Sequence, residues 1–451
     1  MISRRLLLAS FAVFASPLAA QQPRECILDY ESPTGLTRTN AVELPSHRYN
    51  VFQGEGVRYR CRGQDNVITA DSAEYYGDQS VLYLIGNVHY RETKAKVDSD
   101  RMTYFQLEDR LHAEGNVNVV LQSGTTMKGP AIDYYRQTAT RPQATAIATG
   151  HPTMKIVEAN SSGRPQEPIN VVANQITSQG DNQVFASGAV EITRPDVIAK
   201  GDSVFMDSRL EIARLMKSPS VQSRKDRPFT LTGGVIVLYS QNRLLRRVVA
   251  TPNGHVLSQD LELVSDSIDL RMSNDRLDRV MAWGPSSAKA LSPDREITAD
   301  SIDAIMPGQR LREVRAVRHA YANSAPDTAH IISSERDWMR GDVIVAEFDS
   351  VAISDTASKP VPRRIVATGN ASSYYQVAGN NSTKTIPNIN YVKGKAITVL
   401  FEDREVRTVD VVEQATGVYV EPGGPATTTP TTPRAAPRST APARPIRRNS
   451  P

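Results

Sequence analysis

The chain has 451 residues, 39% of them hydrophobic and 6% aromatic, with a mean hydropathy of −0.38. That is enough apolar material for a large core, but no surplus that demands a lipid surrounding. The formal net charge is +4, and Arg434, Arg438, Arg444, Arg447 and Arg448 more than supply it from a terminal stretch without a single acid. The rest of the chain is therefore near neutral, which argues against a dedicated nucleic-acid surface.

Residues 1–20 read as a cleavable secretory signal. Arg4 and Arg5 form its basic start, Leu6 to Val13 its apolar stretch, and Leu18-Ala19-Ala20 its small-residue cleavage site. The apolar stretch is too short to span a bilayer. Export to the periplasm is expected, with association at the outer membrane left open. Residues 21–50 follow as an irregular leader containing Pro23, Pro33 and Pro45. The only two cysteines, Cys26 and Cys61, are disulfide candidates because an exported chain folds under oxidising conditions. Closing a loop of that size contributes about 3–4 kcal/mol in the chain-entropy model.

From about residue 51 the chain repeats itself. Ile68-Thr69-Ala70-Asp71-Ser72-Ala73-Glu74-Tyr75 is followed by Leu84-Ile85-Gly86-Asn87-Val88. A second copy runs from Ser99-Asp100-Arg101-Met102-Thr103-Tyr104 to Leu111-His112-Ala113-Glu114-Gly115-Asn116-Val117. Looser copies stand at Asp202-Ser203, Asp266-Ser267, Asp300-Ser301 and Gly341-Asp342. Asp71 and Asp100 are 29 residues apart, Asp100 and Pro130 are 30 apart, and Asp266 and Asp300 are 34 apart. A period of this length signals stacked supersecondary units, none of which buries its apolar face alone. Apolar and polar residues alternate within each unit, as half-buried strands require, and Gly-Asn supplies a positive-φ turn or bulge. About twenty short strands and almost no helix are expected. The polar break Arg224-Lys225-Asp226-Arg227-Pro228 divides the repeats into residues 51–225 and 226–421, as two tandem modules or one continuous stack. Residues 422–451 are rich in Pro, Thr, Ala and Arg and read as a disordered tail.

The recurring Ala-Asp-Ser-x-x-Tyr and Leu-x-x-x-Gly-Asn-Val resemble the OstA-like family. That family comprises the periplasmic lipopolysaccharide-transport bridge protein and the N-terminal domain of the outer-membrane lipopolysaccharide-assembly protein. The resemblance is strongest from Val67 to Tyr135 and recurs more weakly up to about residue 420. It implies an all-β fold of repeated antiparallel strands in an open, twisted β-jelly roll whose two sheets form a V. It also implies a protein that shields lipopolysaccharide acyl chains on the way to the outer membrane. This chain has roughly twice the repeats of a minimal bridge protein, and its basic tail has no counterpart in the family pattern.

A lipid carrier of this kind needs a strip of inward apolar residues. The candidates are Tyr75, Leu82, Leu84, Val88, Tyr104, Leu111, Val117, Val119, Phe185 and Val190. Expected partners are lipopolysaccharide or a related lipid, and other OstA-like components joined by strand addition at exposed edges near Val51 to Arg60 and Ala396 to Val420. Head-to-tail self-association falls within the same scheme, and nucleic acid does not. Two other readings compete. In one, the same inward residues fill the closed core of a structural β-repeat scaffold without lipid cargo. In the other, Asp98/Asp100, Asp266/Asp269 and Asp300/Asp303 serve a carbohydrate-active β-solenoid. The aspartates sit at the repeat's own consensus place, which favours a turn-capping role and no enzyme. The seven histidines show no metal-ligand spacing, so no metal and no cofactor are expected.

Overall fold

The computed structural model describes residues 26–422, apart from 32–37, 158–166, 225–227, 243, 259–260, 274–275, 353–357, 379–383 and 403–404. The expected signal segment and basic tail lie outside the described residues. Among those described there are 32 strands and one short 3-10 turn, Pro307–Gln309, and every pairing between strands is antiparallel. The described residues adopt the all-β character expected from the repeats and the antiparallel pairing that the resemblance implies.

The strands build two ladders side by side. The first begins with Leu28–Glu31, Val57–Cys61 and Val67–Ala70 and ends with Thr416–Val420. The second begins with Arg38–Glu43, Tyr49–Gly54 and Ser72–Tyr76 and ends with Glu405–Val412. Between these ends the longer strands belong to both ladders. Val81–Arg91 pairs through Val81 to Ile85 in the second ladder, shifts register, and pairs through Val88 to Arg91 in the first. Ala95–Phe105, Arg110–Leu121, Gln183–Thr193, Arg276–Leu291 and Glu313–Ser324 cross in the same way. More strands form than the expected twenty because the chain is interrupted at some crossings, as at Asp71 between Val67–Ala70 and Ser72–Tyr76, and runs through at others.

The repeat motif is the crossing itself. Gly86 (φ 80) and Asn87 (φ 45) are both left-handed, and so are Gly115 (φ 74) and Asn116 (φ 47). Two successive positive-φ residues turn the strand from one ladder into the other, which explains why Gly-Asn recurs there. Each corner is bonded to the repeat's aspartate on the neighbouring strand. Asn87 Nδ2 donates to Asp71 Oδ2 at 2.9 Å, and Asn116 Nδ2 donates to Asp100 Oδ2 at 2.8 Å. Later corners keep the backbone and vary the side chains: Lys217-Ser218 against Asp202, Arg318-His319 against Asp300, and Gly369-Asn370 against Asp342.

The pairing is continuous past the polar break. Ser220–Ser223 pairs with Phe229–Thr232 in one ladder, and Ile212–Met216 with Val235–Gln241 in the other. Around this point ten strands close an antiparallel barrel-like circuit. Val197–Asp207 leads through Ile212–Met216, Val235–Gln241, Leu244–Thr251 and Ser267–Ser273 to Arg276–Leu291. The return passes through Glu262–Ser265, Gly254–Ser258, Phe229–Thr232 and Ser220–Ser223. One apolar core runs the whole length between the ladders, from Cys26 and Val57 to Ile397 and Val399.

The N-terminal edges lie further out than expected. Tyr49–Gly54 and Val57–Cys61 each have neighbours on both sides, because the leader contributes Arg38–Glu43 and Leu28–Glu31 as additional strands. Cys26 and Cys61 are joined as a disulfide, with Cα atoms 4.9 Å apart, and this bond fastens the outer leader strand to Val57–Cys61.

Candidate functional site

The corners place the candidate lining. Each crossing bends a strand so that alternate residues of both halves face the same interior. Leu82 and Leu84 precede the corner of Val81–Arg91, while Val88 and Tyr90 follow it; all four are buried. Leu111 and Ala113, then Val117 and Val119, repeat this in Arg110–Leu121. Tyr104 and Val190 are likewise buried, and Tyr75 is partly buried against the same core. Nine of the ten candidates thus share one interior wall.

Phe185 does not. It is 43% exposed and lies against Phe205 on the outer face, with ring centroids 4.9 Å apart. Alternation decides this: Val184 and Ala186 take the inward positions of Gln183–Thr193, so the intervening residue points out. The expected inward place for Phe185 is wrong by one residue of parity.

The wall is filled by its own side chains. Among the described residues two cavities of about 320 and 170 Å³ stand out, and none of the nine inward residues lines either of them. The smaller lies at the strand tips among Lys94, Gln137, Pro142, Gln143 and Asp181. The corners join the two ladders, and the strand tips away from the corners form the mouth between them.

A polar clasp closes that mouth, and nothing in the repeat pattern announces it. Arg136 follows the strand Thr126–Tyr135 and is 7% exposed. Its Nη1 donates to Asp109 Oδ1 at 3.0 Å, in the turn at the tip of the second ladder. Its Nε stands 3.6 Å from Glu92 Oε2, just beyond the tip of the first ladder, and Nη2 donates to Gln64 Oε1 at 2.6 Å. Three buried tyrosines complete the group. Tyr104 donates its hydroxyl to Asp109 at 2.7 Å, Tyr90 donates to Glu92 at 2.7 Å, and Tyr134 also donates to Glu92. The Tyr90 and Tyr134 rings meet across the ladders at 6.2 Å. Burial pushes all three phenols up, and the neighbouring carboxylates push them further. Burial disfavours charge on Arg136, but the surrounding Tyr90, Tyr104, Asp109 and Glu92 outweigh it and raise its pKa. The guanidinium is permanently charged and faces a carboxylate on each side, although its buried Nε makes no hydrogen bond, so it holds the arms together by charge.

The paired aspartates do not converge on a common site. Asp98 pairs with His89 and Arg91, whereas Asp100 holds its corner. Asp269 is fully buried against Arg247, while Asp266 accepts from the Ser286 backbone N–H at 2.6 Å. Asp303 pairs with Arg279, and Asp300 with His319. Each carboxylate has its own structural partner. Among the described residues no cluster of His, Cys, Asp or Glu could hold a metal ion.

The first two corners, their shared strands and the clasp stand in the first part of the chain, and that part matches a family model. Residues 38–141 match the family described as Lipopolysaccharide-assembly, LptC-related. This segment is similar to LptC-related proteins. No curated protein matches the chain. The matched segment runs from the first strand of the second ladder to just past the clasp, so Glu92, Asp109 and Arg136 all fall within it. The match bears out the resemblance to OstA-like lipopolysaccharide-transport proteins and connects the chain with lipopolysaccharide transport and assembly. No helix among the described residues is long and apolar enough to cross a membrane.

A half-buried carboxylate lies near the other end. Burial raises the pKa of Asp337 above its ordinary 3.8, against the opposing effect of bonds from the Gln376 backbone N–H at 2.9 Å and Nε2 at 3.3 Å. The folded state therefore holds this proton more tightly than the unfolded chain does. Stability falls as pH rises from about 3.8 through the raised folded value. Asp337→Asn keeps the acceptor and removes the charge. It should match the parent protein below pH 3.8 and exceed its stability at neutral pH, as read from urea unfolding across a pH series. Identical pH profiles for the two proteins would refute this.

Proposed function

We propose that the protein binds the acyl chains of lipopolysaccharide between its two ladders and acts as a bridge in transport to the outer membrane. The reading rests chiefly on one observation: a single apolar interior, walled by Leu82, Leu84, Val88, Leu111, Val117 and Val119, continues the length of the chain between ladders that share strands. Each methylene moved out of water contributes about 0.8 kcal/mol, so ten of them give about 8 kcal/mol, near micromolar affinity before ordering costs. Such affinity holds a chain and still releases it. Because the interior is filled by its own side chains, loading requires the arms to part at the tips, where the clasp sits. The end strands Thr416–Val420, Glu405–Val412, Arg38–Glu43 and Leu28–Glu31 would receive neighbouring components by strand addition. Export by a cleaved signal, as read from residues 1–20, would put the protein in the periplasm.

A packed scaffold without cargo is the second reading, favoured by the near-complete burial of the same wall. Photo-crosslinking in cells separates the two. A photoreactive residue placed at Tyr75, Leu84, Val117 or Val190 should yield lipopolysaccharide adducts. The outward positions Tyr83, Ile85 and Phe185 should yield none. Folded, exported protein without adducts at any interior position would leave the scaffold reading standing.

A further inference from the structure

The outer face of the first ladder carries a feature that the interior lipid reading does not use. Trp338 sits in the strand Asp337–Ala352, directly opposite Tyr374, which in turn is opposite Tyr391. The Trp338 and Tyr374 rings stack at 6.2 Å with 13° between planes. Tyr391 meets Trp338 edge-on at 6.1 Å, and Tyr321 flanks it at 6.4 Å. All four rings are half-buried. Met339 takes the inward position beside Trp338, so the aromatic row faces away from the core.

Two exposed cations border this row. The Arg340 guanidinium lies 4.9 Å over the Trp338 ring, anchored by Nε donating to Ser372 Oγ at 2.9 Å. Lys393 Nζ lies 5.6 Å over the Tyr391 ring. Arg340 and Lys393 face each other through Ser372 in the cross-strand register. Neither makes an ion pair among the described residues, although Arg363, Arg364 and Lys395 on the platform's own strands do. Acids stand at the margins of the row: Glu296 accepts from Asn323 Nδ2 at 3.1 Å, and the charges of Glu335 and Asp337 reach Tyr374.

We propose that this platform binds a phosphorylated sugar, with the sugar ring on the aromatic row and its phosphate between Arg340 and Lys393. The near-parallel Trp338 and Tyr374 rings offer surface for the C–H face of a pyranose, and two cations without an ion-pair partner, placed on either side of Ser372, receive an anion. An apolar partner alone would leave both cations to be desolvated without compensation. A soluble phosphosugar and a glycolipid headgroup share the recognised chemistry. This inference goes beyond the interior binding of acyl chains and does not depend on it, because interior crosslinks and outer-face binding can each fail alone.

The sequence contains only two tryptophans, so Trp283→Phe makes Trp338 the sole indole reporter in the full-length protein. Titrating that variant with glucosamine 6-phosphate should give saturable fluorescence quenching. Arg340→Gln or Lys393→Gln, both at exposed positions that leave the core untouched, should weaken it by about tenfold each. Tighter binding of lipopolysaccharide micelles than of the free sugar would identify the glycolipid headgroup as the source; equal affinity would identify the soluble sugar. The proposal is overturned by a lack of saturation with either ligand, or by an undiminished response in both variants. It is equally overturned if inorganic phosphate or phosphatidylglycerol vesicles quench as well as the phosphosugar.

Discussion

Replacing Arg136 by methionine should destabilise the N-terminal strands by about 3–5 kcal/mol, the usual cost of removing one partner from a buried ionic group. The change leaves Asp109 and Glu92 without their shared cation at a place where Arg136 itself is only 7% exposed. Stability in a stacked array is a sum of unit and interface contributions, so a single global unfolding midpoint would blur the effect. Native-state hydrogen exchange in Ala95–Phe105 and Thr126–Tyr135 is the appropriate measurement, and faster exchange there should leave Asn388–Glu402 unaffected. The triple replacement Glu92→Gln, Asp109→Asn, Arg136→Met should recover most of the loss, since no buried charge then lacks a partner. A neutral single mutant would mean that the mouth is already open and hydrated in solution.

The second large effect is expected at a corner. Gly115 has φ +74, and a Cβ added there would collide with Asp100 Oδ2 and lie 2.9 Å from the Asp100 Cβ. Gly115→Ala therefore combines backbone strain with displacement of the carboxylate that holds Asn116. Gly124, in a nearby turn, has a similar φ of +84, but a Cβ added there would meet nothing within 4 Å. Gly124→Ala should cost only the left-handed penalty of about 1–2 kcal/mol. Gly115→Ala should cost about 2 kcal/mol more than that. Urea unfolding of the two variants side by side tests the difference. Equal losses would show that the corner aspartate yields freely and contributes little to the crossing.

These two sites mark what local pattern reveals and what it hides. The corner is legible because every part of it is near in sequence and repeated: Asp71 with Gly86 and Asn87, then Asp100 with Gly115 and Asn116. A left-handed pair needs residues that tolerate positive φ, and a bonded corner needs an acceptor on the next strand, so composition and spacing carry the geometry. The inward wall is nearly as legible, because alternation places Leu82, Leu84, Val88, Leu111, Val117 and Val119 without any knowledge of their neighbours. Phe185 is the exception, where a large apolar residue sits among the small ones of its strand and attracts an inward reading that the strand's parity denies.

The all-β class, the repeat, the corners and the alternation can all be read along the chain, since each depends on backbone preferences within a few residues. What closes the interior, and where the ladders end, depends instead on pairing between distant segments. Arg136 meets Asp109 across 27 positions, and Glu92 and Gln64 from still farther away, so no periodicity marks them as partners. Leader strands Leu28–Glu31 and Arg38–Glu43 form because neighbouring strands offer unpaired backbone groups, a benefit invisible in a proline-marked segment read alone. The Trp338 row likewise exists only once register brings Tyr321, Tyr374 and Tyr391 beside it, because pairing between strands, unlike alternation within one, is decided by the whole assembly.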